Sequence, residues 1–355
     1  KTADSGKTWN PVTDAYFGGT MGAVEVFAGN PDIVWAGGGE YPIRGNVSHG
    51  DGVWKTTDGG KTWASMGLTE TQYVARILTH PTDPNLTYVG AMGHVFGPNP
   101  ERGVFRTKDG GKSWQKVLFV NDSTGVSELA MDPTNPNVIY AAFWQAGRKP
   151  WLLISGGNGS TMFKTTDGGD HWTEIKNNPG LPKGIWGNIG VTVSPANPNR
   201  LWAIIEAEEG GVFRSDDAGA TWKLMTQDRN LRQRAWYFSK LTADPKDTNV
   251  VWAGNVGGFI SKDGGKTFQN TPVSSGDTHQ YWVAPNDPKR VAVVGDQGVT
   301  LTYDGGTTSS RANIPTGQYY HVHLTNAFPY DICGAEQDGG VDCFAGRFEI
   351  GRAHV

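Results

Sequence analysis

Two acidic residues stand apart among the carboxylates of this 355-residue chain. Asp296 in VVGDQGV and Asp338 in AEQDGGV each follow an apolar, strand-like run and open a short connection containing glycine. A carboxylic acid and a carboxylate held at a fixed separation can protonate a glycosidic oxygen and activate water or trap the sugar, which is the chemistry of O-glycosyl hydrolysis. Inversion would need the two groups about 6.5 to 9.5 Å apart. Each aspartate can equally accept hydrogen bonds inside its own hairpin, so both readings stand at this point. Glu40, Glu101, Glu206, Glu208, Asp277 and Glu336 are the other carboxylates in irregular segments.

Ligand-binding side chains cluster in the same kind of segment. Trp144, Arg148 and Trp151 lie in WQAGRKPWLLISGGNGST, and Arg229, Arg232, Arg234 and Trp236 in DRNLRQRAWYF. His279 lies in SSGDTHQYW and His321 and His323 in QYYHVH, with Trp186 and Trp282 in or beside such stretches. An aromatic plane beside polar groups offers a face for a sugar ring, and guanidinium forks bind carboxylates through paired hydrogen bonds. Large aromatics also anchor loops, and arginines also bridge them. His321 and His323 share a strand face without a third ligand, so no metal site is expected. There is no nucleophile elbow, phosphate loop or Cys-x-x-Cys pair, so no cofactor is expected.

The elements that must position these residues are announced by a repeat. KTTDGGKTW returns as RTKDGGKSW, KTTDGGDHW, RSDDAGATW and ISKDGGKTF, with KTADSGKTW before them and a degenerate TYDGGTTS after. Aligned on the acidic residue these give Asp4, Asp58, Asp109, Asp167, Asp217, Asp263 and Asp304. The spacing of about 40 to 60 residues is that of a four-stranded propeller blade. The aspartate accepts backbone N–H groups in the turn, a glycine takes positive φ, and the hydroxyl and tryptophan fasten the hairpin. One copy per blade suits a structural staple, not an active site. A second motif, such as HPTDPNLTYVGA or SPANPNRLWAII, is a turn followed by a strand. In the second repeat YVARILTH, LTYVGA, GVFRT and SWQKVLF therefore read as strands A to D. The expectation is an all-β fold, a seven-bladed β-propeller of four-stranded antiparallel blades spanning 1–345. The staples and DPxNP-type turns then share one face. The irregular segments carrying the candidate residues share the other, termed the top.

The staple pattern resembles the Asp-box, or BNR repeat, of sialidases, xyloglucanases and sortilin-type receptors. GRKPW, DRNLRQRAWYFSKLTADP and CGAEQDGG look most like large, secreted, sortilin-like bacterial proteins labelled glycosyl hydrolase BNR repeat. YPIRG does not follow the order of the sialidase arginine signature. The resemblance implies a secreted carbohydrate-active propeller binding a glycan, with Asp296 and Asp338 similar to the catalytic hairpin aspartates of two-propeller xyloglucanases. Those aspartates face each other across two propellers, whereas Asp296 and Asp338 fall in neighbouring repeats of one. It equally admits a non-catalytic, sortilin-like propeller capturing a peptide or protein.

Net charge is −4, which offers no basic footprint for nucleic acid, and no apolar run is long enough to span a membrane. The chain starts within a repeat, so a fragment of a longer protein is expected, its signal peptide lying in a missing portion. Residues 349–355 read as a non-native tail. An extracellular or periplasmic monomer is the expectation. Cys333 and Cys343, the two cysteines, flank a hairpin and stand either as a disulfide or as buried thiols. The first residues offer strands C and D, and QYYHVHLTNA and DICGAE strands A and B, of a blade that would close the ring.

Overall fold

A computed structural model describes residues 1–45, 47–312, 314 and 317–346. The tail 349–355 lies outside the described residues. The fold is all-β, with seven antiparallel sheets in the strand arrangement of a seven-bladed β-propeller. The second sheet is typical, with strands Val74–Thr79, Thr87–Ala91, Gly103–Thr107 and Gln115–Leu118 paired in chain order, as the four runs predict.

The chain divides into two compact units, Lys1–Ala312 and Asn313–Val355. The first holds six sheets. Its second strands are buried on both faces, as in Leu201–Ala207, because successive sheets stack face to face. Tyr140, Ala142 and Met162 of the third sheet thus pack against Ile189, Leu201, Ala203 and Phe213 of the fourth. The third sheet alone carries a fifth strand, Leu152–Ser155, which pairs with the far end of the long strand Asn135–Lys149. The second unit is a three-stranded sheet, Tyr319–Leu324, Asp331–Glu336 and Val341–Ala345. Cys333 faces Cys343 across its second and third strands, and the two form a disulfide. Val341–Ala345 takes the edge where strand C was expected from the first residues, since a local hairpin closes at less entropic cost than a distant segment. Residues 1–10 carry the staple turn but form no strand.

The staple repeats one geometry, with the His171 ring in place of the hydroxyl at Asp167. In the first sheet the Asp58 carboxylate accepts from the Lys61 and Thr62 N–H groups and from the Thr62 hydroxyl, at 2.9, 2.9 and 2.6 Å. The Thr56 hydroxyl donates to Asp58 and accepts from the Gly60 N–H, which needs the positive φ of 91° at Gly60. A second regularity links neighbours. Where the residue three before a staple aspartate is Lys or Arg, it reaches the carbonyl just after the next one: Lys55 to Gly110, Arg106 to Gly168, Lys164 to Ala218 and Arg214 to Gly264. Lys1 does the same to Gly59, and the Tyr303 hydroxyl donates to Ser5, which ties the last staple of the first unit to the first.

Hydrogen bonding holds the staple carboxyls below the ordinary aspartate range. The hydroxyl four residues on contributes most at Asp58 and Asp304, and the Thr8 N–H at Asp4. At Asp263 burial opposes the shift and the Thr267 bonds outweigh it. Asp4, Asp263 and Asp304 come down to about 2. A depressed folded-state pKa contributes stability above the unfolded value and loses it as pH falls through the folded one. The urea midpoint should therefore hold steady above pH about 5 and drop steadily between about 4 and 2. A midpoint unchanged from pH 5 to 3 would refute the staple role of these charges.

Candidate functional site

Loops from several sheets meet on the top of the first unit. Tyr41, Ile43 and Val47 of the first sheet's loop are buried with Tyr73, Met92, Val95 and Trp144, and Trp236 packs against them. The third sheet's long hairpin reaches across: the Arg148 N–H donates to Val95 and its Nε to the Arg44 carbonyl, at 2.8 and 3.0 Å. This apolar knot fixes the segment bearing Glu40 and Arg44.

Beside it lies a compact polar cluster. Asp296 follows the strand Val291–Gly295 and accepts from the Tyr237 hydroxyl at 2.8 and 2.9 Å. His279 Nε2 stands 2.9 Å from its Oδ1. The Tyr237 ring meets the His279 ring edge to face at 4.6 Å, and Phe238 flanks His279 at 5.2 Å. Arg44 pairs with Glu40 at 2.5 Å and lies 5.7 Å from the Tyr237 ring centroid. One constellation thus joins the first sheet, the link into the fifth and the sixth.

The cluster drives its two carboxyls apart. Burial pushes Glu40 up, only partly countered by Arg44, and the Asp296 charge adds to the rise. Burial would raise Asp296 as well, but the His279 bond and charge, the Tyr237 hydroxyl and Arg44 outweigh it and hold Asp296 low. Burial, then the Asp296 charge, pushes the Tyr237 phenol up, so it stays a donor. Two carboxyl groups tuned in opposite directions are the pattern of an acid and a base.

The other candidates are placed as follows. Asp338 is exposed at the tip of the hairpin between Asp331–Glu336 and Val341–Ala345, with φ of 54°, and His321 is exposed on Tyr319–Leu324; both belong to the second unit. Trp144 is a correction: it is 0% exposed because the strand Asn135–Lys149 runs on through its position, and it offers no ring face to a ligand. Trp151, at the hairpin tip, is 80% exposed. Arg232 donates to the Gln227 carbonyl, and Arg234 pairs with Asp277 at 2.7 Å over the Phe238 ring. Glu206 accepts from the Ser155 hydroxyl and the Asn188 N–H, both at 2.7 Å, and burial pushes its carboxyl up.

Sequence reasoning did not single out Arg44, Tyr237 or the pairing of Glu40 with Asp296. The four-residue spacing of Glu40 and Arg44 was the one signal available. It also missed a buried charge cluster on the first strands of the sheets. Lys240 Nζ contacts Glu128 at 2.6 Å and the Ser127 carbonyl at 2.9 Å, and stands 4.8 Å from the Tyr41 ring centroid. Arg76 approaches the other Glu128 oxygen at 3.6 Å. Burial alone would discharge Lys240, but Glu128 and Tyr41 overcome it and raise its pKa.

The family model described as sortilin, neurotensin receptor 3, matches residues 51–180. The chain is 26% identical over 229 residues to a probable oligoxyloglucan-reducing end-specific xyloglucanase of Neosartorya fischeri, covering 61% of this chain and 26% of that protein. It is 26% identical over 251 residues to the photosystem II assembly lipoprotein Ycf48 of a Nostoc species, covering 71% and 60%. A GH74 enzyme of Niastella koreensis superposes with a TM-score of 0.61 at 16% identity, covering 92% of this chain and 52% of that one. That likeness is one of fold. Together the matches relate the propeller to those of xyloglucanases and distantly to sortilin-type repeats, a broader kinship than the BNR group. The chain spans less than two thirds of the length of these sequence relatives.

Proposed function

We propose that this chain is the propeller of an extracellular or periplasmic protein that binds a glycan on its top face and hydrolyses a glycosidic bond there. The observation that carries the reading is the oppositely tuned pair: Glu40, pushed up by burial, is the proton donor, and Asp296, held low by His279, Tyr237 and Arg44, is the base or nucleophile. The similarity to xyloglucanases points to a β-linked plant-type polysaccharide as the first substrate to try. Asp338 is the partner that the hairpin resemblance nominates; Glu40 is preferred because it shares the electrostatic surroundings of Asp296. The Cys333–Cys343 disulfide supports an oxidising compartment.

The test is reducing-end release from a polysaccharide panel, followed across pH. With Asp296 ionised below the ordinary carboxylate range and Glu40 protonated above it, kcat/KM should rise on a displaced acid limb and fall on a basic limb above the ordinary glutamate pKa. A profile flat from pH 4 to 8 would refute the acid–base assignment.

A non-catalytic binding propeller is the second reading, favoured by one observation. The Arg44 contact at 2.5 Å offers Glu40 a neutralising partner that a proton donor does not need. The similarity to Ycf48, described as an assembly protein, accords with it. Binding without turnover, unchanged in Asp296→Asn, would establish this reading. Threading of a peptide along the axis is disfavoured in either case, since Lys240 and Glu128 lie buried among the first strands with Arg76 half-buried beside them.

A further inference from the structure

The link between the fourth and fifth sheets carries three arginines, of which Arg234 is ion-paired among the described residues. Arg229, Arg232, Gln233 and Arg234 line an open cleft of about 750 Å³, with Glu208 as the one carboxylate on its wall. Among the surrounding acids Asp277 is ion-paired, while Asp228 and Glu209 accept from neutral donors. Asp277 takes Arg234 at 2.7 Å, Asp228 accepts from the Asn230 N–H at 2.9 Å, and Glu209 meets the Gln227 amide. Arg232 gives one Nη to the Gln227 carbonyl at 3.1 Å, while its Nε is buried with no hydrogen-bond partner. No ion pair is formed by Arg229 or Arg232 among the described residues.

Two guanidinium side chains and an amide lining one open cleft can receive a planar anion. A carboxylate matches the fork with two parallel hydrogen bonds, each charge-assisted. Packed side chains also connect the cleft wall to the polar cluster. Arg234 lies over the Phe238 ring, Phe238 flanks His279, and His279 holds Asp296. We infer that Arg229 and Arg232 form an acidic-sugar subsite beside Asp296, so that the glycan bound on the top face carries carboxylates of uronic acid residues. This inference rests on glycan binding as proposed above, but not on hydrolysis.

The chain should be titrated with a galacturonic acid trisaccharide and with its methyl ester, which keeps the shape and removes the charge. Binding of the acid should be tighter by about tenfold or more, since one charge-assisted contact accounts for that much. Added salt should weaken the acid form and leave the ester unchanged. In Arg229→Gln/Arg232→Gln the preference should collapse to within about twofold, with an unaltered circular-dichroism spectrum, and Arg229→Lys/Arg232→Lys should retain only part of it. Equal affinities for acid and ester, or a preference that survives in the glutamine variant, would overturn the subsite. So would an acidic peptide binding more tightly than the acid trisaccharide. Asp296→Asn separates the two proposals: it removes turnover if the hydrolase reading holds and leaves the acid preference intact. Acid preference without turnover in the parent chain would defeat hydrolysis alone.

Discussion

Asp296→Asn should lower kcat on a hydrolysable glycan by about 10³-fold, and Glu40→Gln should do so to a similar degree, while Asp338→Asn should leave the rate within about twofold. Asparagine keeps the size of Asp296 and an oxygen for the Tyr237 hydroxyl, so the fold is preserved and the charge alone is lost. The two variants should differ in one diagnostic way. An aryl glycoside whose leaving group needs no protonation should restore most of the rate in Glu40→Gln and none in Asp296→Asn, because only a missing acid is bypassed by a better leaving group. A 10³-fold loss in Asp338→Asn with little change in Glu40→Gln would return the partnership to the two hairpin aspartates. Full activity in all three would remove the site from these residues.

Lys240→Met should destabilise the protein by about 3 to 5 kcal/mol, read as a fall in the urea midpoint at unchanged slope. Methionine matches the length of the lysine stem, so packing is nearly conserved. What is lost is the partner of Glu128, leaving a carboxylate stranded in a site where both side chains are less than a tenth exposed. Arg76, at 3.6 Å, is too distant to replace a contact of 2.6 Å in full. Removing both charges in Glu128→Gln/Lys240→Met should recover more than half of the loss, since a stranded charge costs more than the pair contributes. A single variant losing under about 1 kcal/mol would show that water or Arg76 already stabilises Glu128.

The strands were legible because each repeat combines a turn signal with a β-branched or aromatic run, and the second sheet follows its four runs closely. The staple was legible in chemistry as well as position. Its threonine and aspartate are neighbours in sequence, so their hydrogen bonds are local. The site was legible only in part. Asp296 could be selected from its place after a strand, whereas Glu40 and Arg44 join it through loops whose conformation is set by burial of Tyr41, Ile43 and Trp144. Trp144 misled for a related reason. Its neighbours read as a loop, yet the strand Asn135–Lys149 continues through them and turns the indole into the core. Lys240 and Glu128 meet across 112 residues, a pairing that no local pattern announces.

The contact between the last staple of the first unit and the first has a consequence in time. Tyr303 donates to the carbonyl of Ser5, and the two residues are synthesised 298 positions apart. At a translation rate of about 5 to 20 residues per second, the turn at residues 1–10 waits on the order of half a minute for that partner. The first unit thus passes, while it is being synthesised, through a stage in which its sheet faces await their neighbours, and it is in that interval, not once folded, that it depends most on protection from its own kind.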